Sequence, residues 1–393
     1  MKIYEIGTGY TPIPAQMGAA TEIVVEGLTR AFLKQDVPVE IVDIRAKNRS
    51  ETDLPIRETW VPACFSGTDV KLGLMHKLKR VVYSVSLACT LRRILKESDE
   101  KIVLHFHNQY NLFFFLKLTP AKLRTKACIA YTNHSGVWRQ GWKEIERTIQ
   151  KRYFQESACM KHADILFLLN RETKENVVNH LGVSEDRIVL IGNGVDTDVY
   201  CPLDTDTKAQ FGLTGKNVFL QVGSVCENKG QLRSVQYLLP LLKENPDLVY
   251  AYAGGIVEPD YAERVRKFAG ENGVQEQVRY LGMMVPGKML NELYNTALAT
   301  ILPSGFESFG LVAIESMAAG VPVLLDKKSP MDFGAGCLRY EGENFAETAA
   351  LLFGEEAAAL SAAARLNACT NYSWDAVAAE YAEEFKNRMK EHV

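Results

Sequence analysis

Short apolar runs alternate with longer segments of helical period along most of the chain. Residues 3–6, 39–44, 102–107, 128–131, 165–169 and 188–191 are apolar runs of strand length, the pattern of strands buried on both faces of a parallel sheet. Between the first two, residues 21–34 set Val24, Leu28 and Ala31 on one helical face. This alternation predicts a doubly wound α/β unit. It breaks over GNGVDTDVYCPLDTDT, residues 192–207, where Gly, Asp and Pro replace periodicity, and a fresh apolar run starts at 218. A domain boundary here divides the chain into residues 1–195 and 196–375. The second half repeats the alternation, with strands expected at 218–222, 248–253, 278–281, 300–302 and 321–325. Residues 374–390 read as a closing helix with Val377, Tyr381, Glu384 and Phe385 near one face, and about 376–393 is expected to return to the first domain. Residues 45–70 have weak periodicity and read as a long irregular insertion. Two such halves imply a cleft between them, and parallel sheets bind ligands at the carboxyl ends of their strands.

Composition narrows the class. With 393 residues, 47% hydrophobic and 24% charged, the chain is too apolar for disorder and long enough for two to three cored domains. Its net charge of -3 argues against a dedicated nucleic-acid binder. The total hides an asymmetry: residues 1–195 carry 28 Lys and Arg against 21 Asp and Glu, and the remainder 17 against 27. Much of the basic excess lies in 71–126, including HKLKRVVYSVSLACTLRRILK, which suits an anionic membrane surface or a solvated helix face balanced by the acidic half. Eight scattered cysteines without a C-x-x-C pair read as reduced, mostly buried cytosolic thiols. The N-terminus runs directly into a strand pattern without the apolar core of a signal peptide. Residues 81–91, bracketed by basic pairs, fall far short of the roughly 20 a spanning helix needs. A soluble or peripheral cytoplasmic protein is expected.

The densest local signal is ILPSGFESFGLVAIESMAAGVPV, residues 301–323. A strand ends at Pro303, a Ser-Gly turn follows, and a helix is expected to begin near Ser308 with Leu311, Val312, Ile314 and Met317 as its apolar stripe and Gly320 as its cap. Free backbone N–H groups at Ser308 to Gly310 would then form an anion site. Glu307 stands at its mouth, and Glu315, eight residues on, lies roughly 12 Å along a continuous helix axis. Two carboxylates flanking an anion site suit a ligand with hydroxyl-rich groups at both ends and a diphosphate between them, as in a nucleotide-sugar.

This stretch resembles the E-x7-E signature of retaining glycosyltransferases of the two-domain GT-B fold, in particular family 4. The resemblance implies that Glu307 and the backbone of Phe309, Gly310 and Leu311 contact the donor sugar, and that Glu315 holds the ribose. It extends over RIVLIGNGVDTDVYCP, ADILFLLNRETKENV and YSWDAVAAEYAEEF, so nearly the whole chain is covered. QVGSVCENKG is similar to the family's diphosphate-binding turn, with Lys229 on the phosphates. Ser224 stands where an arginine is common and supplies no charge, so Lys229 suffices there or Arg233 contributes. GTGYTPIPAQMGAAT resembles the family's glycine-containing N-terminal loop, with Gly18 near donor phosphate or acceptor. Histidines His105, His107 and His134 are expected at strand ends facing the cleft, the first two on one side of their strand. A family histidine near the donor sugar commonly falls at the place of His134; His107 is the second candidate. Trp138, Arg139 and Trp142 follow, and their rings either stack on an acceptor or belong to the core.

The resemblance implies a retaining, hexosyl-type transfer from a nucleotide-sugar, UDP-sugar favoured, to a sugar, glycan or lipid-linked hydroxyl, with the donor on the C-terminal domain and the acceptor on the N-terminal one. The leaving phosphate takes the acceptor proton, and Lys229 steadies its charge. The Asp196-Thr-Asp198 and Asp204-Thr-Asp206 pairs lie in the linker, so no metal or other cofactor is expected. An epimerase or phosphorylase on the same fold, or a partner subunit that binds without turnover, would keep much of the site. A nicotinamide enzyme using Asp43 is disfavoured because Pro12 replaces the third glycine of G-x-G-x-x-G.

Overall fold

The computed structural model describes residues 1–15, 20–66, 74–139, 141–305, 307, 309–329 and 331–391, and the side chains of 139, 144 and 391 lie outside that description. The chain forms two compact units, Met1–Gly194 with Trp374–Val393, and Val195–Ser373.

The first unit is built on strands β1 (Ile3–Ile6), β2 (Val39–Ile44), β3 (Ile56–Thr59), β4 (Ile102–Phe106), β5 (Ala127–Asn133), β6 (Ile165–Leu168) and β7 (Ile188–Leu190). All pair in parallel, in the order β3-β2-β1-β4-β5-β6-β7. The winding direction reverses between β1 and β4, where Ile6 lies beside Phe106. Alternate strand residues feed two cores. Leu104, Phe106, Ile129 and Tyr131 pack with Tyr83, Leu87 and Leu91 of the helix Leu74–Glu97. Val103, Cys128 and Ala130 pack with Val24, Leu28 and Phe32 of the helix Ala20–Lys34 and with Val377, Tyr381 and Phe385 of the helix Trp374–Glu391. The closing helix is therefore part of this unit. Trp374 anchors its start so closely that a Cβ on Gly27 would come within 2.2 Å of the indole, and Lys34 pairs with Asp375 beside it.

Residues 45–70 are not wholly irregular: within them β3 adds an edge strand to β2, and Ala63–Phe65 forms a short helix. This edge strand, IRET, is four residues long with two charged positions at its centre, so β3 shows neither an apolar run nor an alternation that a sequence reading could find. The cysteines are also less buried than expected. All eight are free, but Cys64 and Cys89 are exposed and only Cys128 and Cys159 are buried.

The second unit carries β8 (Asn217–Val222), β9 (Leu248–Ala253), β10 (Val278–Tyr280), β11 (Ala299–Leu302), β12 (Val323–Asp326) and β13 (Cys337–Tyr340). Its parallel order is β10-β9-β8-β11-β12-β13, with the reversal between β8 and β11. The edge strand β13, CLRY, was likewise invisible to apolar patterning. Among the described residues no helix is long and apolar enough to cross a membrane.

Candidate functional site

In the second unit the chemistry gathers at the carboxyl ends of β8 and β11, the two strands that flank the reversal. After β8 the chain turns through Gly223 at φ 145°, a single 3-10 turn Glu227–Lys229, and Gly230 at φ 74°, into the helix Gln231–Glu244. This turn is clamped from both sides. Gly254, after β9, sits so close that a Cβ there would approach the Gly223 carbonyl to 2.1 Å. On the other side Gly305 N–H donates to the Asn228 carbonyl at 2.9 Å, tying the β11 loop to the β8 loop. Gln221 holds the Lys229 carbonyl through Nε2 at 2.7 Å.

The clamp brings together two of the expected residues. Lys229 Nζ donates to Glu307 Oε1, and Ser304 Oγ donates to the same oxygen at 2.8 Å. Both side chains are partly buried, so each charge is desolvated in part and compensated by the other. An ammonium has three N–H donors, so Lys229 can hold Glu307 and a ligand oxygen together. Arg233 sits at the same strand end, donating to the Pro303 carbonyl at 2.7 Å. Ser224 is exposed, and its carbonyl accepts from Gln231 Nε2 at 3.0 Å.

The helix after β11 begins later than its sequence suggests. It spans Leu311–Ala318, and Gly310, left-handed at φ 88°, is its N-cap. The expected free N–H groups at Ser308 to Gly310 thus do not belong to the helix, whose first intrahelical bond runs from Ala313 N–H to the Gly310 carbonyl at 2.9 Å; among the described residues Leu311 N–H and Val312 N–H have no acceptor. Ser308 itself lies outside the described residues. The 12 Å axial separation of Glu307 and Glu315 falls with this, because a helical rise applies only from Leu311 onward. Phe309 turns its ring into the core, where it packs edge-on against Phe333 with centroids 5.8 Å apart, which leaves its backbone for a ligand. Glu315 is half-buried and accepts from Tyr294 Oη at 2.9 Å. Burial pushes its carboxyl above the usual range, against the hydroxyls of Tyr294 and Tyr200 that favour its charge. Those tyrosines had no sequence signal.

In the first unit the strand ends of β1, β4 and β5 carry a buried polar chain. Glu5 Oε1 accepts from His105 Nδ1 at 2.9 Å and Oε2 from His107 Nε2 at 2.7 Å. His107 Nδ1 lies 3.0 Å from His134 Nε2, and His105 Nε2 lies 2.7 Å from Thr132 Oγ1, itself 3.3 Å from Tyr381 Oη. His105 does not face solvent as expected: it is fully buried against Phe167, Tyr381 and Phe385. His107 is buried and His134 half-buried at the end of β5. Sequence reasoning passed over Glu5, whose signal was a lone carboxylate inside the apolar strand IYEI.

Trp138 belongs to the core and offers no platform to an acceptor. Its ring is wholly buried and its indole N–H donates to Glu156 Oε2 at 2.7 Å. Trp142 stacks on His180 with centroids 4.3 Å apart. Arg139 has its backbone in the 3-10 turn Gly136–Arg139, while its side chain and Gly18 lie outside the described residues. Asp43 is equally unavailable to a cofactor: it is buried beneath Gly7, accepting from Ile13 N–H and from Arg49, both at 2.9 Å.

Comparison with known proteins matches residues 21–199 to Glycosyltransferase Family 4 and residues 204–332 to Glycosyl transferases group 1. The chain is 29% identical over 196 residues to a D-inositol 3-phosphate glycosyltransferase of Corynebacterium aurimucosum, covering 46% of each. That stretch spans about half the length of the relative. Among solved structures it is similar to sucrose-phosphate synthase of Thermosynechococcus elongatus, with a TM-score of 0.75 at 19% identity over 100% of both chains. It is also similar to HepE of Anabaena, solved in complex with UDP and glucose, with a TM-score of 0.69 at 14% identity over 98% of this chain and 99% of that one.

Proposed function

From the premise that the chain belongs to the family 4, group 1 glycosyltransferases and has their GT-B fold, we propose that it moves a hexosyl group from a nucleotide-sugar to a hydroxyl acceptor with retention of configuration. The observation that carries this reading is the Lys229–Glu307 pair at the reversal point of the second sheet, where parallel sheets take their ligands. Residues 195–373 bind the donor. Glu307 and the backbone of Phe309, Gly310 and Leu311 receive the sugar, Glu315 the ribose, and Lys229 with Arg233 the diphosphate. UDP is the favoured nucleotide, in keeping with the nucleotide bound by HepE.

Residues 1–194 take the acceptor, near His134 and His107. The new C–O bond forms on the face from which the diphosphate departs, and the acceptor proton passes to the leaving phosphate oxygen. Lys229 stabilises that developing negative charge, the kind of electrostatic contribution that dominates such reactions. A divalent metal is not needed where a lysine serves. Of the four linker aspartates two hold their own turns: Asp196 Oδ1 accepts from the N–H groups of Asp198 and Val199, and Asp206 Oδ1 from that of Lys208.

A panel of UDP-, GDP- and ADP-sugars tests the reading. At a hundredfold excess over its dissociation constant the true donor stabilises the protein by about 2.7 kcal/mol, a rise of several degrees in melting temperature. UDP-sugars are expected to give it, and transfer is expected to survive a chelator. No shift from any nucleotide-sugar would remove the donor site.

We propose that the acceptor lies at an anionic membrane surface. Leu74 and Met75 are exposed at the start of the helix Leu74–Glu97 and are followed at spacings of three to four residues by exposed Leu78, Val81 and Val85; Trp60 is exposed too, with Ser86 of the helix bonded to its carbonyl at 2.5 Å. Exposed Lys77, Arg93 and Lys96 share that helix, the combination that holds an interfacial helix on acidic lipid. Co-sedimentation with phosphatidylglycerol vesicles but not with phosphatidylcholine vesicles is expected, weakened by salt and by Leu78→Glu. Equal binding to both lipids would discard this placement.

A further inference from the structure

The polar chain of the first unit assigns protons as well as contacts. Glu5 is wholly buried. Burial alone would push its carboxyl up, but His105 and then His107 overcome this and hold it at about 2, so it is ionised and only accepts. Both histidines must therefore donate to it, His105 from Nδ1 and His107 from Nε2. Burial, then the neighbouring His105, pushes the His107 imidazole down to about 4, so it carries one proton. That proton is on Nε2, which leaves Nδ1 as an acceptor, and the partner 3.0 Å away is His134 Nε2. His134 must then donate from Nε2. Burial holds its imidazole well below the ordinary value, so it is neutral and its Nδ1 is a bare acceptor. Among the described residues that Nδ1 has no protein partner.

We propose that Glu5 and His107 are positioning residues that lock His134 in its Nε2–H form, presenting its Nδ1 as a hydrogen-bond acceptor to a sugar hydroxyl in the transfer reaction. The inference rests on the glycosyltransferase reading. The same geometry explains why an acidic residue sits in the first strand. A carboxylate three groups from the ligand sets the direction of two successive hydrogen bonds, as the buried aspartate of a catalytic triad sets its histidine's tautomer. The chain has a fixed far end too, since His105 continues to Thr132 and Tyr381 and is walled by Phe167 and Phe385. The titratable groups facing His107 are Glu5 from β1, His105 from β4, and His134 beyond β5, and Tyr381 of the closing helix faces His105.

Glu5, His105 and His107 also have the composition of a metal site, their ligand atoms lying within 4.8 Å of one another. The pairwise contacts decide against it. Ligands sharing a tetrahedral zinc ion at about 2.1 Å stand roughly 3.4 Å apart, whereas Glu5 meets its two histidines at 2.9 and 2.7 Å, hydrogen-bond lengths.

The test is a double-mutant cycle in the full chain. Glu5→Gln keeps the volume but removes the charge that orders the relay and turns one acceptor oxygen into an NH2 donor. It is expected to lower kcat roughly tenfold or more with little change in the donor KM, and His134→Ala to lower it further. Glu5→Gln added to His134→Ala should then cost nothing more, because Glu5 acts through His134. Additive losses, or wild-type kcat in Glu5→Gln, would overturn the relay while leaving the donor site intact; loss of transfer in Glu307→Ala checks that site separately. Nitrogen-15 NMR of the wild-type histidines decides the matter even if Glu5→Gln does not fold. His107 and His134 are expected as neutral Nε2–H forms from pH 7 to 5. Titration of either near 6.5, an Nδ1–H form, or stoichiometric zinc in the purified protein refutes the proposal.

Discussion

Lys229→Ala is expected to lower glycosyl transfer by roughly 10²–10³-fold, the cost of deleting one preorganised stabiliser of developing charge, while the melting temperature moves by only a few degrees. The small effect on stability follows from the position of the pair. Lys229 and Glu307 are partly open to water, and pairs of that kind contribute about 1 kcal/mol or less. Glu307 also keeps Ser304 as a donor when the lysine is gone. The backbone around the site is held by contacts that the substitution leaves untouched, namely the Gly305 bond to Asn228 and the close approach of Gly254 to Gly223. Glu307→Ala should behave alike, with a loss of similar size. Steady-state transfer to the true acceptor, measured beside a melting curve, separates lost chemistry from lost fold. Turnover near wild type in either variant would contradict the assignment of both residues.

Acid should destabilise the first unit, beginning above the range in which carboxylates usually titrate. His107 has an ordinary imidazole value near 6.5 when unfolded and about 4 when folded. Between those limits the unfolded chain binds a proton that the folded one refuses, so stability falls as pH falls from 6.5 to 4. The separation corresponds to about 3 kcal/mol. His134 acts in the same direction. Glu5, ordinarily near 4.5 and held at about 2, adds a second loss between 4.5 and 2. The buried carboxyls of Glu22, Asp43 and Glu156 are pushed upward, mainly by burial, and oppose this trend. A comparison isolates the histidine. His107→Phe removes the group that refuses the proton, so the gap in melting temperature between wild type and variant should narrow between pH 7 and pH 4. A gap that stays constant or widens would show that His107 is not held neutral by the fold.

The pattern of the chain carried most of the architecture because burial on both faces writes parallel strands as apolar runs that can be read locally. β1, β2 and β9 have their expected limits, and the other expected strands differ by one to a few residues at their ends. The two strands without such a signature, β3 and β13, both lie at sheet edges and mix charged with apolar residues, IRET and CLRY, whereas the edge strands β7 and β10 kept enough apolar character to be read. Glu307 and Lys229 were each legible from their own loops, but their pairing was not. They lie 78 residues apart, and only the adjacency of β8 and β11 brings the loops together. The start of the helix at Leu311 depended on the left-handed Gly310, a backbone choice that the residue type permits but does not dictate. Trp138 and Glu5 illustrate the same division. Whether an aromatic beside a site faces the ligand or the core, and whether a carboxylate in a strand is solvated or bonded to a histidine 102 residues away, is decided by what stands opposite. A sequence determines by itself what its own neighbouring residues can satisfy within a turn or a strand. Partners for buried polar groups come from elsewhere in the chain, so the tertiary structure alone decides which charges meet and where their protons lie.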